Sequence, residues 1–459
     1  MTTHFHIMGI AGAGMSAIAH LLLDQGHQVS GCDHQQNALS QELAERGATI
    51  MLGHDPAHLG NVDTLVRSSA VRMDHPEVAT AGARGMAVLK RDDLWRAWSE
   101  GKPTLAVAGT HGKTTTTAMA SLILDRLGYD PAYIVPAGGP VPGLDRFARW
   151  GSGPFVIEAD EYDRLLLGLI PEVAIITSVD WDHVDIYPTR ADVEATFAEF
   201  AGQTRRTIIY CADDEGARRV AATPTQASWQ SYGFAPGAAW RIDDLTTGPN
   251  ETRFVLHLPK PAGGRPIAAC LQAPGRHNVQ NAAGAVAAVA QFGVLPEEAL
   301  AVLADFKGAA RRFELKGDIN GVIFIDDYAH NPAKVAATLS AARMRYGDRR
   351  LVIYFQPHTF SRTQALLEPL GAAFAEADLV LVGNIYPSRE RTEDFPGIDA
   401  GLLVRHIPGS AEAVGDLGQA AERLLEHIRP GDVVMTLGAG DGYRVGDETR
   451  RQWGAGSAP

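Results

Sequence analysis

Residues 104–117 read TLAVAGTHGKTTTT, and this run restricts the fold more than any other stretch of the chain. Five apolar or small residues predict a buried strand, residues 109–112 a tight turn, and Lys113 onward the start of a helix. In such a unit Gly109 and Gly112, with Thr110 and His111 between them, leave backbone N–H groups free to face phosphate oxygens. Lys113 can reach terminal phosphates, Thr114 can place its hydroxyl on magnesium, and Thr115 follows on the same turn. The first glycine of the full G-x-x-x-x-G-K-[ST] pattern would fall at Val107, so the loop is a shortened one. An accidental GKT in this context is the weaker reading.

A second glycine turn lies about a hundred residues earlier. Residues 4–10 are a short apolar strand, residues 9–17 read GIAGAGMSA, and Ile18, Leu21 and Leu22 then follow at helical spacing. Gly12, Gly14 and Ala17 fit G-x-G-x-x-A, in which small residues admit a diphosphate to the helix N-terminus. Asp33 ends the next strand, 28–33, where a dinucleotide site places its ribose-binding acid. Two readings stay open here: a nicotinamide cofactor site, or glycines that merely allow a tight strand-to-helix turn.

With 459 residues, 45% of them hydrophobic, the chain exceeds one core, and domains of 1–101, 102–308 and 309–459 are expected. Lys102-Pro103 marks the first boundary by breaking a helix. There is no signal-like N-terminus and no run of membrane-spanning length, so the expectation is a cytosolic protein with no membrane partner. A net charge of −13 argues against nucleic-acid binding. Cys32, Cys211 and Cys270 are odd in number and widely spaced, which suits small buried residues better than disulfides.

Residues 155–163, FVIEADEYD, are an apolar strand ending in four carboxylates, Glu158, Asp160, Glu161 and Asp163. Two like charges at 4 Å repel by about 1 kcal/mol in water and about 4 at an effective dielectric of 20, so acids beside a triphosphate call for a cation between them. A strand over 173–178 then delivers His183 among further acids. Thr114, Glu161 and His183 are the expected metal ligands. Farther on, residues 274–281, PGRHNVQN, precede a helix expected over 282–292, with Asn278 either a helix cap or a ligand contact. Residues 235–270 suggest hairpins. Strands at 322–325, 351–355, 379–382 and 433–437 then alternate with helices, giving a third open α/β domain.

Across nearly the whole chain, GIAGAGMSAIA, VSGCD, RSSAV, AGTHGKTTT, EADEYD, DHVDIY, GRHNVQNA, GAARRFE, IDDYAHNP, FQPHTFSRT and GAGD occur in the order of the Mur ligases of peptidoglycan precursor synthesis, which the sequence resembles. The resemblance implies a three-domain α/β protein: a Rossmann-like N-terminal domain, a P-loop ATPase-like central domain and a Rossmann-like C-terminal domain. It turns the first glycine site into one for UDP-N-acetylmuramate, at Gly12, Ala13, Gly14, Met15 and Ser16 with Asp33 and Ser69. It places His277, Asn278 and Asn281 near adenine, Arg312 near the phosphates and Asp327 near ribose of ATP. It sets His330, His358, Arg362, Tyr386 and Arg389 toward the amino acid.

The implied reaction is attack of the lactyl carboxylate on the γ-phosphate, then displacement of phosphate from the acyl phosphate by an amine. Lys113, Glu161, His183, Arg312 and His330 form the implied catalytic set, with magnesium or manganese as cofactor and a monomer or weak homodimer as the assembly. No lysine occurs between Lys113 and Lys260, which excludes relatives that use a carbamylated lysine. That leaves the branch adding L-alanine, or the recycling branch adding a murein tripeptide; a nucleotide-binding homologue without activity is the alternative of another class. Ala329, Asn331, Tyr162 and Thr359 depart from the alanine-adding pattern, where glycine, histidine, serine and arginine are usual.

Overall fold

The computed structural model describes residues 2–68, 70–136, 141–183, 186–248 and 251–455. Its first five strands are β1 (His4–Met8), β2 (Gln28–Asp33), β3 (Thr49–Leu52), β4 (Thr64–Arg67) and β5 (Ala87–Lys90). They form a parallel sheet in the order β3-β2-β1-β4-β5. The order reverses between β1 and β4, the place at which an open parallel sheet leaves a crevice at its C-terminal edge. Four helices, α1 (Ala13–Asp24), α2 (Ala38–Glu45), α3 (Pro76–Ala83) and α4 (Arg91–Gly101), connect these strands and lead out of them.

After Pro103 a second sheet opens with β6 (Thr104–Ala108), which is buried at every residue, as a strand covered on both faces must be. Helix α5 (Lys113–Arg126) follows it. The strands β7 (Ala132–Ile134), β8 (Ala148–Arg149), β9 (Phe155–Ala159), β10 (Val173–Ile176), β11 (Thr207–Cys211) and β12 (Ser228–Gly233) complete the order β12-β11-β10-β6-β9-β7-β8. Only β8 runs antiparallel to its neighbour among these pairs.

The two sheets belong to one packed unit spanning residues 1–241 with 257–265 and 281–303. Its core runs without a break from Ile7 and Ile18 through Trp95 and Trp98 to Phe155 and Ile208. Trp98 sits 5.4 Å from Trp150 and 6.1 Å from Phe155 between ring centres. Asp24, at the end of α1, accepts from the Trp150 amide at 2.9 Å and from Arg146 at 3.2 Å.

A second unit holds residues 242–256, 266–280 and 304–459. The strands β13 (Trp240–Thr247), which enters this unit at Ile242, β14 (Thr252–His257) and β15 (Pro266–Leu271) lie side by side. They occupy the region where hairpins are expected. The remaining strands are β16 (Glu314–Ile319), β17 (Val322–Asp327), β18 (Leu351–Phe355), β19 (Leu379–Gly383), β20 (Ala411–Gly415) and β21 (Val433–Leu437). Their order is β16-β17-β21-β18-β19-β20, parallel except for β16.

One expectation is overturned. The helix expected over 282–292 begins earlier, at Arg276, and runs to Val289. Asn278 therefore lies inside its first turn and does not cap it. Its side-chain amide donates to the Pro274 carbonyl at 2.6 Å, whereas a cap residue would accept from the helix.

Candidate active site

Three parallel strand ends meet around the turn after β6. Gly109 has φ +140, and a Cβ there would lie 1.9 Å from Thr177 Oγ1. Gly112 has φ +81 and would meet Asn281 Oδ1 at 2.5 Å, so only glycine fits either position. The loop is pinned from the end of β10. Thr110 N donates to Ser178 O at 3.0 Å, His111 N donates to Ser178 Oγ at 2.8 Å, and Thr177 Oγ1 donates to the His111 carbonyl. Asp180 N donates to Thr110 Oγ1 at 2.9 Å, and the His111 imidazole, 3.9 Å from the carboxylate, holds Asp180 below the usual range. Gly112 caps α5 without a side chain, and the first-turn amides of that helix point out of its end.

Lys113 Nζ donates to Gly109 O at 2.7 Å and to Glu161 Oε2 at 2.6 Å. Burial pushes its pKa down, but Glu161, Asp160 and Glu158 outweigh that and drive it up. The ammonium is therefore charged. Thr114 Oγ1 donates to Glu158 Oε2 at 2.8 Å, and Thr115 is buried beside it. Glu161 is 2% exposed; its backbone carbonyl accepts from Tyr187 OH at 2.6 Å, and its Oε1 lies 3.7 Å from His183 Nε2. Asp163, Arg164 and His183 all have φ near +55, which gathers backbone strain of about 1–3 kcal/mol per residue at this edge. The expected trio is thus brought to one place, with Thr114 bonded to Glu158 and Glu161 shared between Lys113 and His183.

At the first glycine turn, Gly9 N and Ile10 N donate to Cys32 O at 2.8 and 3.2 Å, and Ala11 N donates to Asp33 Oδ2 at 3.1 Å. Asp33 braces the turn through its carboxylate. Gly12 opens α1 without a side-chain cap, leaving the amide end beginning at Ala13. A Cβ on Gly14 would lie 2.6 Å from Arg91 NH1, so a guanidinium stands over the turn. Met15 packs in the core, and the Ser16 hydroxyl is buried on Ala13 O at 3.1 Å; neither side chain faces outward. Ser69 lies outside the described residues.

On the second unit, Phe313 N and Ala329 N each donate to Asp327 at 2.7 Å. Burial raises the Asp327 pKa against the lowering effect of Arg312. Burial together with the Arg312 charge pushes His277 down to about 4. The Arg312 guanidinium lies 5.0 Å from the Tyr328 ring. His330 Nδ1 pairs with Tyr328 O at 2.8 Å, and its ring is 5.9 Å from His358, which stacks on Tyr386 at 5.5 Å and meets Arg362 at 3.2 Å. These four expected residues form one strip. Arg389 is exposed on the following loop.

Several participants escape a reading of the sequence. Glu158 was one acid among four. Arg91 lies about 75 residues from the turn it covers. Arg311, not only its neighbour Arg312, spans Asp326, Gly438 and Gly440 at 3.0, 2.7 and 3.2 Å.

Models of three families match: the Mur ligase catalytic domain over residues 4–102, the Mur ligase middle domain over 107–289, and the Mur ligase glutamate ligase domain over 311–440. The chain belongs to the Mur ligase family. Among similar Mur ligases, the UDP-N-acetylmuramate–L-alanine ligase of Roseiflexus castenholzii is 47% identical, covering 97% of this chain and 96% of that protein. The enzyme of the same name from Chloroflexus aggregans is 46% identical, over 96% and 97%. A UDP-N-acetylmuramate-alanine ligase structure from Thermotoga maritima superposes with TM-score 0.81 at 25% identity, covering 99% and 100% of the two chains. A murein peptide ligase from Psychrobacter arcticus shares the Mur ligase fold, with TM-score 0.71 at 24% identity over 100% of each chain. No helix among the described residues is long and apolar enough to cross a membrane.

Proposed function

We propose that this Mur ligase joins L-alanine to the lactyl carboxylate of UDP-N-acetylmuramate, driven by ATP, in the synthesis of peptidoglycan precursors. The observation that carries the reading is the Lys113 ammonium, held 2.6 Å from Glu161 at the mouth of a glycine turn. The name of a relative 47% identical over 97% of the chain supports the choice of substrates.

Carboxylate attack on a triphosphate brings like charges together, and catalysis rests on neutralising that approach. Lys113 is charged and half-buried, so it meets the phosphates without first losing a full hydration shell. On that encounter it exchanges Glu161 for phosphate oxygens. Glu161 and Glu158 then need another partner, and a hydroxyl, carboxylates and an imidazole at Thr114, Glu158, Glu161 and His183 suit a hard divalent cation such as magnesium. Such an ion would supply charge neutralisation at the phosphates. ADP leaves as the acyl phosphate forms; the alanine amine, after giving up a proton, attacks the acyl carbon, and phosphate leaves.

The amide end of α1, braced by Asp33 and faced by Arg91, is assigned to the diphosphate of UDP-N-acetylmuramate. Adenine and ribose recognition is assigned to His277, Asn278, Asn281 and Asp327, and the strip His330, His358, Arg362 and Tyr386, with Arg389, to the amino acid. The domain limits 1–101, 102–308 and 309–459 go with these assignments.

The test is phosphate release from ATP with UDP-N-acetylmuramate and a panel of amines. Release with L-alanine carries the reading. Release only with the murein tripeptide would assign the chain to recycling, and nucleotide binding without release under any combination would overturn ligation.

A further inference from the structure

Below the first sheet lies a cluster of side chains for which ligation has no use. Cys32 and Met8 face away from α1 and pack with Leu59, Val78 and Ala81. This puts them under the 3-10 turn Pro56–Leu59 and helix α3. Into the same layer project His6, His58 and Glu77. Four elements far apart in the chain thus deliver one thiol, two imidazoles and one carboxylate to a single point.

We propose that His6, Cys32, His58 and Glu77 form a zinc site that clips β1 and β2 to the turn and helix covering them. One ligand atom from each lies within 4.8 Å of every other. Cys32 Sγ is 3.4 Å from His6 Nε2 and 3.5 Å from Glu77 Oε1, and Glu77 Oε1 is 3.1 Å from His58 Nδ1. A tetrahedral zinc ion with bonds of about 2.0–2.3 Å requires ligand separations of roughly 3.3–3.7 Å. Three of the six edges already stand at 3.1–3.5 Å, and the others lie within 4.8 Å.

The chemistry of the set selects the metal. A thiolate with two imidazoles and a carboxylate suits zinc over magnesium or calcium, which take oxygen ligands. Thiolate and carboxylate together cancel the charge of a divalent ion. Glu77 is 0% exposed, and among the described residues its ion-pair partners are imidazoles, His54 at 3.1 Å and His58 at 3.1 Å. A fully buried carboxylate needs a strong partner, and a divalent cation supplies one. His54 Nδ1 sits on the other oxygen, Glu77 Oε2, and Asp55 N donates to Oε1 at 3.1 Å, contacts of the kind that orient a ligating group. With all four positions filled by protein the site is structural. Binding releases the Cys32 thiol proton to solvent as the sulfur–metal bond forms.

The test uses the full chain, stripped with a chelator and titrated with cobalt(II) in place of zinc. The expected result is one equivalent bound, with a sulfur-to-cobalt charge-transfer band and the visible spectrum of a tetrahedral ion. Cys32→Ser should lose the charge-transfer band, Cys211→Ser should keep it, and Glu77→Gln should weaken binding by about tenfold or more. Zinc should then displace cobalt one for one and raise the melting temperature. A folded wild-type chain that shows no such band at one equivalent, or a band that survives Cys32→Ser, overturns the site and leaves the cluster a network of hydrogen bonds. If Cys32→Ser fails to fold, the wild-type titration alone decides.

Discussion

Both glycine turns follow a buried parallel strand and open a helix that lacks a side-chain cap, yet they are furnished differently. The turn after β1 is braced by Asp33 and faced by the single guanidinium of Arg91. The turn after β6 is crossed by Lys113 and flanked by two more strand ends carrying Glu158, Glu161 and His183. An amide end with one cation suits the diphosphate proposed for it, which is only to be held. A lysine beside carboxylates suited to a divalent cation is the arrangement proposed above for a phosphate in transfer. On the proposed function, the same local fold would serve holding or activation according to what the neighbouring strands deliver.

The sharpest way to break this comparison is Lys113→Ala. Phosphate release should fall by about 10³-fold or more, about 4 kcal/mol in the barrier, while calorimetry shows UDP-N-acetylmuramate binding within about twofold of the wild type. Equal loss at both sites would abolish the distinction between the turns.

Next comes Gly109→Ala, which forces a side chain into a left-handed backbone 1.9 Å from Thr177 Oγ1. Denaturant unfolding should show about 2–4 kcal/mol lost, together with ATP turnover.

The two helices should also answer pH with opposite sign. His20, on α1, is held down to about 4 by burial and by Arg46 and Arg146. Its folded pKa lies below its unfolded value near 6.5, so the unfolded chain binds the extra proton and stability falls as pH drops from 6.5 toward 4. By pH 5 the loss should be about 2 kcal/mol, and His20→Gln should flatten that slope in denaturant titrations. Lys113, on α5, has its pKa raised, so its contribution is complete below 10.5 and is lost only above it.

Arg91→Ala should raise the Kd for the UDP-sugar about tenfold, about 1.4 kcal/mol, and leave ATP binding alone. Gly12→Ala should cost least. Gly12 has φ −74 and its nearest neighbour would be Gly9 O at 3.3 Å, so less than about 1 kcal/mol of stability is at stake. The contrast between Gly109 and Gly12 is the finest measure of how differently the turns are built.

Much of this was written plainly in the chain. The bounds of β6 follow from an apolar run ended by glycine, because burial on both faces leaves no other composition, whereas β9 stops at Ala159, short of the stretch 155–163 expected as one strand, because the carboxylates after Glu158 leave the sheet. The strands β16 (ELKGDI) and β20 (AEAVG) leave no sequence signal because they lie at the sheet edges, where solvent admits polar and small residues and the period is lost. The Met15 side chain belongs to the core stripe that its spacing with Ile18 and Leu22 marks on α1, which leaves its backbone amide for any contact at the turn. The pairing of Thr114 with Glu158, and of Gly14 with Arg91, depends on which strand end or helix start arrives beside which, and local periodicity carries no record of that. His6, Cys32, His58 and Glu77 lie still farther apart in sequence, and no spacing rule joins them.

The tryptophans between the sheets bear on how this enzyme can be dissected or recombined. Trp98 rests on Trp150 and Phe155, and Asp24 grips the Trp150 amide, so each sheet supplies part of the other's hydrophobic wall. A gene fragment ending at residue 101 would bare one side of that wall, and a chimera exchanging only the first hundred residues would have to inherit matching indoles. The two glycine turns are therefore not portable cassettes, because the sheets that carry them share one core.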